Sequence, residues 1–261
     1  MHWKKLIILF GVLSLSLSAN ITNKTDLMHT LERSRVLSMR IIKSHALIGT
    51  GNPFNNPEKQ LEKDYTALKA NLTDSRNYLV KHPHDVDPAV LPLVQKAQEH
   101  FAKLTQGDLL HAADAEHAIP FFQALEKSRV QINKAAEILT KDKAQRDYVF
   151  FTTRISTIAQ KMGAVYLYKV WGIALPDLDK HFEVMTKKSA KSMEALKNFA
   201  QKLDGKIKND VLDAIKEMRL DLQFFIMSRQ FKSFIPTLLY YKSNKIEQRN
   251  IEIENILHKK M

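Results

Sequence analysis

Residues 31–51 read LERSRVLSMRIIKSHALIGTG, and the reading of this stretch sets the fold. Leu27, Leu31, Ser34, Leu37, Ser38, Ile41 and Ile48 recur at steps of three and four, the spacing that lines up one face of a helix. Arg35 stands off the centre of that face. It shares a seven-residue row with Met28 and Ile42 and lies beside Met39 and Ala46. A core stripe next to a second apolar flank, broken by a single arginine, singles out Arg35 as a candidate binding residue.

Working outward, Thr25 or Asp26 is expected to cap this first helix, and Gly49 and Gly51 to stop it, because glycine accepts the left-handed conformation at a helix end. Asn56-Pro57-Glu58 opens a second helix with a cap, a proline in first position and an acid near the positive end. His82 to Asp85 breaks it, and Asp87-Pro88 opens a third helix through Phe101. Pro120 is expected to open a fourth, running almost straight into the long pattern that begins near Arg146, since Lys141 to Arg146 holds no breaker. That pattern ends at Gly172. Pro176-Asp177, Asn209 and Ile235-Pro236 then announce three more helices.

The two halves of this series match in order and spacing. Long helices end at Gly51 and Gly172, and a proline followed by an acid opens the next helix in each half. Pro57 and Pro120 are separated by 63 residues, and Pro176 and Pro236 by 60. With an offset of 121, Arg33 meets Arg154, Leu37 meets Ile158, Ser38 meets Ala159 and Ile41 meets Met162. The expectation is an all-α chain of two tandem antiparallel four-helix modules, residues 20–144 and 145–261.

Composition agrees. In 261 residues only 7 are glycine and 8 proline, apolar residues make up 44%, and strand-rich runs are absent, as befits a helical protein with a real core. Residues 1–19 read as a secretory signal: Lys4 and Lys5, an apolar run from Leu6 to Leu17, and cleavage near Ser18 or Ala19. The run is shorter than the ~20 residues that span a bilayer. A cysteine-free exported chain fits a periplasm. The net charge of +12, or +10 without the signal lysines, attracts nucleic acid, acidic lipid headgroups or small oxyanions, and export sets nucleic acid aside.

Catalytic motifs are missing: there is no glycine-rich phosphate loop, no HExxH and no nucleophile elbow. This excludes the common enzyme classes and gives no cofactor site. His111, Asp114, Glu116 and His117 offer no i, i+4 ligand pair, so they read as a solvated connection rather than a metal site. The first helix is richer. Arg33, Arg35, Arg40, Lys43 and His45 crowd it, with Asp26 and Glu32 as the nearby acids. His45 lies on the core face, and Arg40 and Lys43 lie near Val36 and Leu47, where their stems are expected to snorkel. Arg35 on its apolar flank is costly to bury without an anion, and a guanidinium fork suits a planar oxyanion. Two copies of the helix packed along that flank, through Met28, Met39, Ile42 and Ala46, would bring two Arg35 side chains onto one anion.

These residues carry a resemblance. Arg35-Val-Leu-Ser-Met-Arg40-Ile-Ile-Lys43, followed by a glycine helix end, resembles the first-helix motif R-M-x-S-x-R of PilJ-type domains, the N-terminal domain of type IV pili methyl-accepting chemotaxis transducers, related to the NarX/NarQ nitrate and nitrite sensors. Arg35, Ser38 and Arg40 match. Val36 replaces the usual methionine, and Leu31-Glu32 stands where the family has small residues. Ile158 to Gly172 is similar to a second copy of the motif, but Ser156 and Lys161 occupy its arginine positions, so the second module is degenerate. The resemblance implies a four-helix bundle, a homodimer through the first helix, nitrate-like anion binding at Arg35, Ser38 and Arg40, and a relay to a separate membrane-bound sensor kinase or chemoreceptor.

Overall fold

The computed structural model describes residues 21–106, 110, 113–141, 147–175, 178–228 and 235–258. The expected signal segment, His111, Pro176-Asp177 and most of the connection after Lys141 lie outside the described residues. Among those described, the chain is all-α, with eight helices and no strand: α1 Lys24–Gly49, α2 Pro57–Lys81, α3 Val90–Gln106, α4 Ala115–Leu139, α5 Tyr148–Val170, α6 Leu178–Ala200, α7 Gly205–Ser228 and α8 Pro236–His258. None of these helices is long and apolar enough to cross a membrane.

Local chemistry places the ends. Asn23, rather than Thr25 or Asp26, caps α1, its side chain accepting from the Thr25 and Asp26 amides at 2.8 and 3.0 Å. Asp26 also accepts from the amide of Thr22, the residue before the cap, at 3.0 Å. Gly51 and Gly172, with φ of +68° and +86°, turn the chain at the ends of α1 and α5. Two expected boundaries are corrected. Pro120 lies inside α4, which begins five residues earlier where Asp114 accepts from the His117 amide at 2.9 Å. And α4 does not run on into α5: its last turn closes on Thr140, and Asp147 caps α5 through the Phe150 amide at 3.1 Å. In addition, α7 starts at Gly205, so Asn209 is an interior residue and not its cap.

Packing forms two closed circuits. Helix α1 packs on α2, α2 on α3, α3 on α4 and α4 on α1; α5 packs on α6, α6 on α7, α7 on α8 and α8 on α5. Each circuit surrounds its own core. Leu31, Leu68, Phe101, Phe121 and Ile132 belong to one; Ile155, Met162, Leu196, Met218 and Ile246 belong to the other. Burying each such side chain contributes roughly 1.5–3 kcal/mol.

The circuits meet along α1 and α5, which run parallel. His29 Nε2 is 2.7 Å from Asp147 Oδ2 at their starts, and Gly49 lies against the Trp171 ring at their ends, so close that a Cβ there would collide with it. Seventeen of the 26 residues of α1 are buried, and seventeen of the 23 in α5, because each is wrapped by helices from both circuits. Gly49 and Val170, Pro57 and Leu178, and Ala115 and Pro236 mark equivalent helix ends 121 residues apart.

Candidate functional site

Arg35 is almost wholly buried, at 6% exposure, and its partner is on its own helix. The guanidinium is ion-paired through Nη1 with the carboxylate of Glu32, itself fully buried. Glu32 Oε2 also accepts from the Thr153 hydroxyl on α5 at 3.4 Å. Thr153 lies 121 residues beyond Glu32, so equivalent positions of the two helices meet here. Glu32 Oε1 and Arg35 Nε have no hydrogen-bond partner among the described residues. One full charge pair is thus desolvated, neutralised internally, and left with one donor and one acceptor unused.

The remaining motif residues face elsewhere. Ser38 is buried and donates to the Ser34 carbonyl at 2.8 Å, satisfying its hydroxyl inside the helix. Arg40 points to the other side of α1. It donates to Asp64 on α2 at 2.9 Å and to Glu247 on α8 at 3.0 Å. The three motif residues therefore do not converge on one point. Met28, Met39, Ile42 and Ala46, expected to form a surface for a second copy, are buried in the chain's own core. The row they share includes Glu32 and Gly49, which meet Thr153 and Trp171. Helix α5 of the same chain takes the place that a partner's first helix was expected to fill.

A larger polar cluster surrounds Arg40, and the sequence reading did not anticipate it. Lys43 does not snorkel: it is 1% exposed, and its Nζ donates to Ser243 Oγ at 3.0 Å and to Asn244 Oδ1, 4.1 Å from the centre of the Tyr240 ring. Gly163 on α5 admits it, since a Cβ there would stand 3.3 Å from the lysine stem and 3.0 Å from Ser243 Oγ. Gln160 of α5 donates to Glu247 at 2.5 Å and to the Ser243 carbonyl at 3.2 Å, and Gln60 donates to Asp64 at 2.9 Å. Four helices are tied together by these bonds.

Burial governs the charges in this cluster. It pushes the Lys43 ammonium down to about 7, against the pull of Glu247. It raises the Asp64 carboxyl despite Arg40. Burial would lower the Arg40 guanidinium, but Glu247 and Asp64 outweigh it and the net shift is upward.

At the equivalent crossing 121 residues away, Lys161 on α5 bonds Glu126 on α4 at 2.6 Å, and Arg129 shares that carboxylate at 2.7 Å. Ser156, at the position of the missing arginine, accepts from Asn250 at 3.0 Å. His45 is stacked on Phe121 with centroids 3.7 Å apart and lies 3.2 Å from the Tyr168 hydroxyl, inside the core as expected. His117 contacts Asp114, its own helix cap, at 2.8 Å. A shallow cleft between α2 and α3, floored by the stacked rings of Tyr65 and Phe101, includes none of the motif residues.

The i, i+3 spacing of Glu32 and Arg35 was the available signal for their pairing. The α8 partners of Arg40 and Lys43 lie some 200 residues away, and no local pattern announces them. Compared with protein-family models, curated proteins and solved structures, the chain matches none.

Proposed function

We propose that this chain is an exported, non-catalytic interaction scaffold built from two PilJ-like modules, in which a carboxylate of the protein occupies the position where a small oxyanion would bind. The observation that carries this reading is the buried pair of Glu32 and Arg35. A guanidinium whose fork already holds a carboxylate has little left for nitrate. Glu32 is also the residue that departs from the small-residue pattern ahead of the motif, so departure and occupancy coincide. The scaffold's partner on this reading is a membrane-bound sensor kinase or chemoreceptor, addressed from the periplasm.

A second reading keeps the ligand. Arg35 Nε has no partner among the described residues, and a nitrate-like anion that displaced Glu32 would engage it. One experiment separates the two: thermal unfolding of the wild type, Glu32→Gln and Arg35→Ala in millimolar nitrate and nitrite. A ligand at 100 times its dissociation constant adds ~2.7 kcal/mol, which is readily seen. The scaffold reading expects no shift in the wild type and a new shift in Glu32→Gln, where Arg35 has lost its internal partner. A wild-type shift that Arg35→Ala abolishes establishes the sensor reading instead.

A further inference from the structure

Lys43 sits where the two circuits meet, and the sequence makes room for it. Gly163 is its slot, since a Cβ there would press on the lysine stem at 3.3 Å and on Ser243 Oγ at 3.0 Å. The same junction 121 residues away is built without a charge. With α1 and α5 exchanged, Lys43, Gly163, Ser243 and Tyr240 correspond to Ala164, Ile42, Phe122 and Ile119, all apolar. Helix packing at this junction therefore does not require a lysine, and burying one costs free energy that an apolar side chain does not.

The surroundings hold the ammonium and oppose it at once. Its three N–H groups meet Ser243 Oγ at 3.0 Å, Asn244 Oδ1 and the face of the Tyr240 ring. Ser243 Oγ gives its own proton to the Tyr240 carbonyl at 2.9 Å, so towards Lys43 it can only accept. The charged and titratable groups facing the ammonium are Arg40 on its own helix, Asp64 on α2, and Glu247 and Tyr240 on α8; α5 contributes Gln160 and Gly163, which carry no charge. Polar partners favour the charged form, whereas a position 1% exposed favours the neutral one. Burial prevails and brings the ammonium down to about 7, so hydration of the site decides its protonation.

The seam beside Lys43 is the part of the joint that can yield. Helix α5 is sealed to the first circuit by apolar contact, with Leu167 and Tyr168 in that core and Trp171 against Gly49. Helix α8 is tied to α1 and the connection after it by polar bonds: Lys43 to Ser243, Arg40 to Glu247 at 3.0 Å, and Asn52 to Thr237 at 3.2 Å. Water replaces such bonds at small net cost, but it does not replace apolar contact.

We propose that Lys43 is a proton-operated latch between the two halves: hydration of its ammonium lets the leading turns of α8 come away from α1, and loss of the proton seals them down. In the open form the hydrated ammonium keeps its proton up to the ordinary 10.5, while the closed form gives it up near 7. Between those values each rise in pH favours closing. Below 7 both forms are charged, and pH no longer moves the balance. The latch is independent of whether Arg35 binds an anion.

The test is amide hydrogen exchange of the full chain at several pH values either side of 7, corrected for the intrinsic pH dependence of exchange. The amides of Ser243 to Glu247 are expected to gain protection by about tenfold per pH unit above 7 and none below it. The amides of the equivalent α4 turns, Phe122 to Glu126, are expected to show no such trend. Lys43→Met keeps the stem, drops the charge and flattens the α8 trend. Asn244→Ala, at a half-buried position, removes one acceptor of the ammonium and moves the break below pH 7. A trend shared equally by α4 would mean that the lysine acts on global unfolding alone, and overturns the latch. A flat α8 response in the wild type, a trend that persists in Lys43→Met, or a break that stays in place in Asn244→Ala overturns it too.

Discussion

Arg40 and Lys161 make the same crossing at two places 121 residues apart, in different surroundings. Arg40 reaches from α1 to Glu247 on α8 at 3.0 Å; Lys161 reaches from α5 to Glu126 on α4 at 2.6 Å. Glu126 and Glu247 are themselves 121 residues apart. The first crossing is joined to Asp64, at 2% side-chain exposure, and stands beside Lys43, at 1%. The crossing pairs themselves are about equally dry, Arg40 and Glu247 at 24% and 13% and Lys161 and Glu126 at 15% and 22%, but in the second two cations, Lys161 and Arg129, share one carboxylate. The contrast separates two things that usually travel together. Helix arrangement fixes where the crossing falls, and the charges gathered around it fix what breaking it costs. A buried pair offsets its desolvation only when every polar atom is met, so breaking one side of it is expensive.

The largest expected effect belongs to Lys43, whose counterpart 121 residues on is Ala164, a fully buried residue with no charge at all. Asp64, Glu247, Arg40 and Tyr240 surround the ammonium, and burial still dominates, holding its pKa near 7 against the ordinary 10.5. Between those values the unfolded chain keeps a proton that the folded chain has released, so stability rises with pH across that window. The rise amounts to about 5 kcal/mol at most. Urea unfolding at several pH values from neutral to alkaline reads it directly, and Lys43→Met removes most of the slope. A wild-type slope of zero would mean that the lysine is solvated.

Next come the two crossings themselves. Glu126→Ala takes the shared carboxylate from both Lys161 and Arg129, at an expected cost of about 3 kcal/mol, while Glu247→Ala leaves Arg40 with Asp64 and Gln160 with the Ser243 carbonyl, at about 1 kcal/mol. Equal losses in urea midpoint would erase the distinction. Acid sharpens it. Burial works to raise the Glu126 carboxyl, but Arg129 and Lys161 prevail and hold it down to about 2. Its contribution is full above the ordinary carboxyl value of 4.5 and fades as pH falls towards 2, and Glu126→Gln abolishes that fade.

Much of this architecture was legible in the sequence because it is local. Caps, prolines and glycine ends placed most helix boundaries within a few residues, and the offset of 121 read from α1 and α5 recurs in the helix ends. The failures are also physical. Pro120 reads as a helix start because proline is favoured there, but Asp114 caps the helix a turn and a half earlier and the proline sits on its exposed face. Arg40 and Lys43 were expected to snorkel because a helical wheel assigns one buried side, and α1 has several. The meaning of Arg35 changed most. The sequence shows that burying it calls for an anion, but points to one outside the chain, whereas Glu32 stands three residues away.

The smallest effect tests how far the likeness of the two halves extends outward. Arg33 and Arg154, paired by the offset, each carry an ion pair at the margin: Arg33 with Glu254 at 3.4 Å, and Arg154 with Glu137 at 4.0 Å. Arg33 is half exposed, and Glu137 more than half, so screening and side-chain entropy consume most of the attraction. Arg33→Ala is expected to cost about 0.5 kcal/mol or less, as exposed pairs do. Arg154→Ala is expected to cost somewhat more, because its guanidinium also lies 4.0 Å from the centre of the Phe150 ring, an aromatic contact that adds a cation–π attraction. Salt distinguishes the two contributions: the Arg33 loss disappears at high ionic strength, while the stacked part of the Arg154 loss persists. If both losses vanished in salt, the ring contact would be idle and the two margins would be equivalent in energy as well as in position.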